Sequence, residues 1–340
     1  MAKSSARKMV ATNLLEHPAI TAWRALEPER FEPDGIEILK EKTGSMVYRL
    51  LGVGPAGTAV IAKQRRLRPG GLLVERTAFE EVFPRLPVPA LRFYGFVQDE
   101  DARFGWLFVE DAGRCQYSAA RDDHRVLAGR WLGYLHCYGP RTDPKGYLPA
   151  AKPRGHSDSV RSARAAIVDG IANPVLTADD IEVLRSVLSL LDSLESRWAE
   201  VDELSDRLPD TVTLRNFVPR NSFVRIGDSG MHLVIVDCQS LVWGNPVCDL
   251  AQSCPPLYGR DFSANPDITA YHQVVRDHWP HIDFETLRQL ASYATVLRCM
   301  TALSWEAPFL AMEWAAGPMG QMRAYHDILP HAMQAAGWRV

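Results

Sequence analysis

Asn221 and Asp237 stand at the two open ends of one predicted hairpin, and that placement is the first sign of chemistry in this chain. Ser222 to Ile226 and Met231 to Val236 are apolar, β-branched runs joined by Gly227-Asp228-Ser229-Gly230, the composition of a tight turn. Folding the hairpin brings an amide oxygen beside a carboxylate. Two hard oxygen donors so placed suit Mg²⁺, which takes one or two protein oxygens and completes its shell with phosphates and water. Both residues also have plainer uses, since asparagine ends turns and aspartate caps strands.

Around the hairpin the chain reads F-V-P-R-N, then V-I-V-D, then G-N-P-V-C-D-L-A. This set resembles the catalytic half of the aminoglycoside phosphotransferase and choline kinase family, which shares the protein kinase fold. The family pattern runs H-G-D-x-x-P-x-N, a short hairpin, h-h-D-x-[ED], then G-[DN]-P-x-x-D-[LI]-A. Matched position by position, the resemblance makes Asn221 and Asp237 the metal ligands and Asp249 the acid that supports the catalytic loop. It implies Mg²⁺ and ATP or GTP as cofactors. One motif departs. Where the family has His-Gly-Asp, this chain has Leu214-Arg215-Asn216, so the carboxylate that takes the acceptor hydroxyl's proton is replaced by an amide. An amide is no base at neutral pH.

Composition sets the frame for these residues. A chain of 340 residues with 46% hydrophobic content can bury two modest cores, and two lobes are expected. The net charge of −3 gives no basic excess for nucleic acid. Lys3, Arg7 and Lys8 precede no apolar run of signal-peptide kind, and no stretch approaches the ~18 apolar residues of a membrane span. The six cysteines form no C-x-x-C pair, so reduced thiols and a cytoplasmic location are expected.

In chain order, residues 1–33 read as a helical N-terminal extension over the small lobe, with Pro18 breaking or kinking it. Strands follow at Ile36 to Leu39, Met46 to Leu51 and Thr58 to Ala62, with Gly44-Ser45 in the first turn, where backbone N–H groups could approach a phosphate. Lys63 closes the third strand in the context V-I-A-K, similar to the V-A-I-K of kinases, where the lysine pairs with phosphates and with a helix glutamate. The next helix, matching E-x-x-x-[FY] ahead of P-V-P, offers Glu75 as that partner, with Glu80 as the second candidate. Arg65, Arg66 and Arg68 are read as a solvated face. Two further strands, Arg92 to Val97 and Gly105 to Val109, complete a five-stranded sheet. The second runs into F-V-E-D-A-G, which resembles the family's hinge; there the backbone of Glu110 and Ala112 would meet the base.

The resemblance therefore implies an α+β, two-lobed protein kinase-like fold: the extension 1–33, a nucleotide-binding lobe at 34–110, and a mostly helical lobe at 111–340. In the latter, W-L-G-Y-L-H resembles a family helix whose His136 is read as a core residue. Residues 139 to 175 read as a loop around a short helix, and Thr177 with Asp180 forms a capping box ahead of an apolar stripe. Helices are expected at Ile268 to Trp279, Phe284 to Met312 and Met319 to Trp338. Trp305, Phe309, Met312, Trp314, Met319 and Met322 lie there, where the family's acceptor cleft is walled.

Two functions stay open. One is a phosphotransferase acting on a hydroxyl of a small molecule or peptide, weakened by Asn216. The other is a pseudokinase scaffold that presents a substrate or partner protein to another enzyme. Asp210, upstream of the loop, is the nearest alternative acid, and Arg215 and Arg220 flank the loop as candidate phosphate contacts. Neither nucleic acid nor membrane is expected as a partner.

Overall fold

The computed structural model describes residues 8–68, 70–99, 101, 103–139, 148–150, 155–215, 217–228, 230–252 and 263–338. The chain divides into two compact units. One comprises Met1–Cys115, Pro144–Pro149 and Arg225–Leu241, the other Gln116–Asp143, Ala150–Val224 and Val242–Val340.

The first unit is built on an antiparallel sheet of β1 (Lys8–Met9), β2 (Gly35–Lys42), β3 (Ser45–Leu51), β4 (Val60–Arg66), β5 (Phe93–Gln98) and β6 (Phe104–Glu110), ordered β1-β2-β3-β4-β6-β5. The sixth strand, β1, corrects the five expected. It is two residues long and pairs with Ile38 and Glu37, too short to show any alternation in sequence. After it come a 3₁₀ turn at Leu14–Glu16 and the helix α1 (Pro18–Arg24). Pro18 starts this helix rather than breaking it, because a first-turn proline gives up an N–H that has no partner in the helix anyway.

Strand alternation separates the two faces of the sheet by chemistry. Ile36, Tyr48, Leu50, Val60, Ala62 and Phe108 share a core with Ala19, Ile20 and Trp23 of α1. Each fully buried aliphatic side chain there contributes roughly 1.5–3 kcal/mol. The pairings Glu37↔Arg49, Lys40↔Val47↔Lys63 and Lys42↔Ser45↔Arg65 put the charged residues on the opposite face. Helix α2 (Leu72–Thr77) widens into a single π turn at Ala78–Val82 and buries Leu72, Val74, Phe79 and Val82, with Glu75 among them.

The second unit is mostly helical: α3 (Asp122–Tyr138), α4 (Gly155–Gly170), α5 (Ala178–Glu195), α6 (Trp198–Ser205), then α7 (Ile268–Val275), α8 (Phe284–Glu306) and α9 (Ala316–Ala335). Between α6 and α7, β7 (Thr211–Thr213) pairs with β10 (Val242–Gly244). The chain between those strands forms the expected hairpin, β8 (Ser222–Gly227) and β9 (Gly230–Ile235). Helix α5 begins with the capping box read from Thr177 and Asp180. At sixteen residues, α4 is longer than the short helix expected. Helix α8 stops at Glu306, short of Met312, where Pro308 lacks the N–H to extend it and a 3₁₀ turn takes over. Helix α7 stops at Val275, and Trp279 lies beyond it in a turn whose N–H bonds Val275 O at 2.8 Å.

Helices α3 and α7 pack closely at two glycines of α3. A Cβ on Gly129 of α3 would lie 2.2 Å from Asp267 O, and one on Gly133 would lie 2.8 Å from Val274 Cβ. At Gly129 the backbone of α3 thus meets the backbone at the start of α7, while Gly133 makes room for the Val274 side chain. Among the described residues, no helix is long and apolar enough to cross a membrane.

Candidate active site

In the first unit, Lys63 and Glu75 form the ion pair expected from sequence. Lys63 Nζ donates to Glu75 Oε1 with both side chains almost wholly buried. Strand alternation turns Lys63 toward the charged sheet face, and Glu75 projects from the buried side of α2. Burial alone would push the Lys63 ammonium down, but Glu75, and after it Asp237, outweigh that and leave it raised. The second oxygen, Glu75 Oε2, is buried without a partner among the described residues. Glu80 is taken up elsewhere, bonded by Arg76 Nε at 2.9 Å through both oxygens.

Asp237 follows β9 with a left-handed backbone, φ 59°, a conformation aspartate tolerates better than most residues. Its Oδ1 lies 3.3 Å from Arg65 Nη2, and Arg65 Nη1 donates to Gln239 Oε1. Arg65 therefore corrects the solvated-face reading. It sits two residues past Lys63 on the same strand, so alternation places both on one sheet face, while Arg66 and Arg68 are exposed as expected. Between Asp237 and Gln239, the Cys238 thiol is pushed well up by burial first and by Glu75 second, which leaves it neutral and unsuited to attack.

The other residues read as nucleotide contacts lie along the same face or the adjoining strand. Gly44 adopts φ +73° in the β2–β3 turn, a conformation glycine adopts without strain. The neighbouring Ser45 Oγ is buried without a partner among the described residues. Glu110 accepts from Arg92 N at 3.1 Å and pairs with Arg225 at 2.7 Å. Ala112 is buried. Sequence reasoning missed the residue between them. Asp111 is held by Arg49 Nε at 2.7 Å, and Arg49 Nη1 also bonds Glu37 at 2.6 Å. The alternation of β3 would have placed Arg49 on the charged face, opposite Glu37 across the β2–β3 hairpin, but Asp111 lies far along the chain.

In the second unit, Asp249 organises the loop after β7. Its Oδ2 accepts from Thr213 Oγ1 at 2.7 Å and Leu214 N at 2.6 Å, and its Oδ1 accepts from Arg215 N at 2.8 Å. His136 Nε2 lies 3.4 Å from the same carboxylate, and its Nδ1 is 2.9 Å from the Tyr271 hydroxyl, a contact made possible where α3 and α7 approach at their glycines. His136 is thus the core residue expected, fully buried. Arg298 of α8, not anticipated from sequence, donates from Nη1 to Arg215 O at 2.8 Å; burial pulls its guanidinium down. Arg215 has φ 56°, so the loop is fixed in a backbone form worth about 1–3 kcal/mol of strain. Asn216 lies outside the described residues. Asn221 is buried at the end of a 3₁₀ turn, while Asp210 and Arg220 are exposed. Of the C-terminal aromatic set, Trp305 and Trp314 are exposed, the Phe309 ring lies tilted against Trp314 with centroids 5.4 Å apart, and Met319 and Met322 belong to the core.

A model of the phosphotransferase enzyme family matches residues 73–290. The chain belongs to that family. The match spans Glu75, Asn221, Asp237 and Asp249 and begins after Lys63, so the lysine is placed by geometry alone. No curated protein matches this phosphotransferase family member by sequence. Solved structures do resemble it. The GDP complex of wild-type aminoglycoside 2′-phosphotransferase-IIIa is 13% identical, with a TM-score of 0.58 over 93% of this chain and 99% of that one. The microcompartment-associated aminopropanol kinase is 13% identical, with a TM-score of 0.60 over 94% and 98%. Ethanolamine kinase from Plasmodium vivax is 11% identical, with a TM-score of 0.55 over 88% and 84%. At these identities the likeness establishes the fold, which is the α+β kinase-like one expected from sequence.

Proposed function

We propose that this phosphotransferase family member moves the γ-phosphoryl group of ATP or GTP onto a hydroxyl of a small molecule, holding the nucleotide on the charged face of its first unit. The buried Lys63–Glu75 pair carries the reading. Two apolar side chains would serve stability as well as a desolvated ion pair does, whereas a clamped ammonium gives phosphates a fixed cation. In this reading Lys63 meets the phosphates, the Gly44-Ser45 turn offers backbone N–H groups, and the backbone of Glu110 and Ala112 meets the base. Residues 34–110 then act as the nucleotide lobe and 111–340 as the acceptor lobe, in the cytoplasm. Asp249 holds the loop that carries Asn216 toward the acceptor. A small amino alcohol, as in the names of two of the similar structures, is the acceptor class put forward, ahead of an aminoglycoside or a peptide hydroxyl.

Asn221 and Asp237 are oxygen donors of the kind Mg²⁺ prefers. Asp237, however, already faces Arg65, and Gln239 is neutral where the family pattern has a second acid. As arranged, the carboxylate that would hold a divalent ion is paired with a guanidinium instead.

Asn216 favours a second reading, the pseudokinase scaffold, because an amide takes no proton. Asn216→Asp separates the two when transfer of labelled γ-phosphate to ethanolamine or aminopropanol is followed. General-base assistance is typically worth about 10²–10⁴-fold, so the variant should gain roughly 10²-fold or more over a slow wild type. An unchanged rate with nucleotide binding intact would favour the scaffold. Substantial wild-type turnover that falls in the variant would mean that another group takes the proton.

A further inference from the structure

We propose that Arg65 is a resident counter-cation that takes the place of a divalent ion at Asp237, so that the first unit holds a nucleoside triphosphate without metal. The proposal rests on reading Asp237 as the metal-position carboxylate, and its own support is the geometry around Arg65. The guanidinium reaches the Asp237 carboxylate with Nη2 at 3.3 Å and the Gln239 amide oxygen with Nη1. Both oxygen-bearing side chains that follow β9 are therefore engaged by one cation. The contact is only partly open to water, with Arg65 16% and Asp237 26% exposed, so it is screened less than a surface pair.

The charge around it points the same way. Lys40 and Lys63 share a row of the sheet, and Arg65 stands two residues beyond Lys63 on the same face. Lys40 lies within electrostatic reach of Asp237, Arg65 and Lys63. With Lys42, which stands in the row of Arg65 and also acts on Lys40, four cations thus face two carboxylates, Asp237 and Glu75, which leaves a net charge of two positive before any ligand arrives. Adding a divalent ion would set two more positive charges against a guanidinium that already neutralises Asp237. A triphosphate instead brings the negative charge the face lacks, and guanidinium matches phosphate oxygens through paired N–H donors. Donors remain unspent on this row: Arg65 Nε and the Oγ of its cross-strand partner Ser45 are buried without a partner among the described residues.

The test uses the full chain, first with Mn²⁺ alone, read by the loss of the free-ion resonance in electron paramagnetic spectra. Wild type and Arg65→Lys should leave the resonance unchanged. Arg65→Met, checked for an unaltered thermal transition, should take up the ion, and adding Asp237→Asn should abolish that uptake. The second measurement is calorimetry with ATP, in Mg²⁺ and in EDTA. Wild-type affinity should change by less than about 3-fold between the two, while that of Arg65→Met should fall about 10-fold or more when metal is removed. Wild type that takes up Mn²⁺, Arg65→Met that takes up none, or wild-type ATP binding that disappears in EDTA would each overturn the proposal. If wild type binds ATP under neither condition, the metal-free triphosphate site is overturned with the nucleotide reading, while the Mn²⁺ result still decides whether Arg65 occupies the cation position.

Discussion

Replacing Asp249 with alanine should destabilise the second unit by about 4 kcal/mol or more, because the carboxylate accepts from Thr213 Oγ1, Leu214 N and Arg215 N at once. A buried donor left without an acceptor costs about 1–3 kcal/mol, and two of these three donors belong to fully buried residues. The loop they fix also holds Arg215 at φ 56°, which only a well-determined surround maintains. Urea denaturation read by tryptophan fluorescence checks this. Asp249→Asn should lose less, since an amide oxygen replaces part of the acceptor set. A loss below about 1 kcal/mol for alanine would mean that the loop keeps its form by packing alone.

Glu75→Ala is expected to cost about 3–5 kcal/mol, the usual penalty for stranding one member of a buried ion pair. Without Glu75, Lys63 keeps only Asp237 as a counter-charge to offset its burial. Combining Lys63→Met with Glu75→Leu should restore most of the stability, because the pair's desolvation cost goes with it. The pH dependence comes from the raised Lys63 value. The pair's stabilisation is present in full below the unfolded lysine's ~10.4 and is lost as pH climbs through the higher folded value, so it stays flat across neutral pH. Denaturation midpoints of the single and double variants between neutral and strongly alkaline pH provide the measurement. A double variant as unstable as Glu75→Ala would show that the loss in Glu75→Ala does not come from a stranded Lys63 charge.

The Lys63–Glu75 pair and the Asp249 anchor are legible in the sequence for the same reason: each is announced by local pattern. Lys63 reads in sequence as the close of its strand, but β4 runs on to Arg66. What marks the pair in sequence is the resemblance of V-I-A-K and of the Glu75 helix to the family pattern, and the structure adds that Glu75 falls on the buried side of that helix. Asp249 is marked by a motif, and its hydrogen bonds to Leu214 and Arg215 give the physical role of an acid at that position. The features that escape sequence reading depend on distant partners. Arg65 looks like one of a run of surface arginines until Asp237 and Gln239 arrive from far along the chain. In the Arg49 cluster, Glu37 is the facing residue of the β2–β3 hairpin, but Asp111 joins them from far along the chain with no local signature. Strand β1 is two residues long and exists only because β2 offers an edge. Pro18 misleads because proline breaks a helix interior but suits its first turn, and sequence alone does not locate the start.

Isothermal titration of ATP tests most directly whether the charged face of the first unit binds a nucleotide through Lys63. Wild type is compared with the stability-restored variant carrying Lys63→Met and Glu75→Leu, so that a lost signal cannot be blamed on unfolding. Wild type should give saturable heat, and the variant should bind at least about 10-fold more weakly. Equal affinity in the two proteins, or no heat from folded wild type at saturating nucleotide, would contradict nucleotide binding through Lys63.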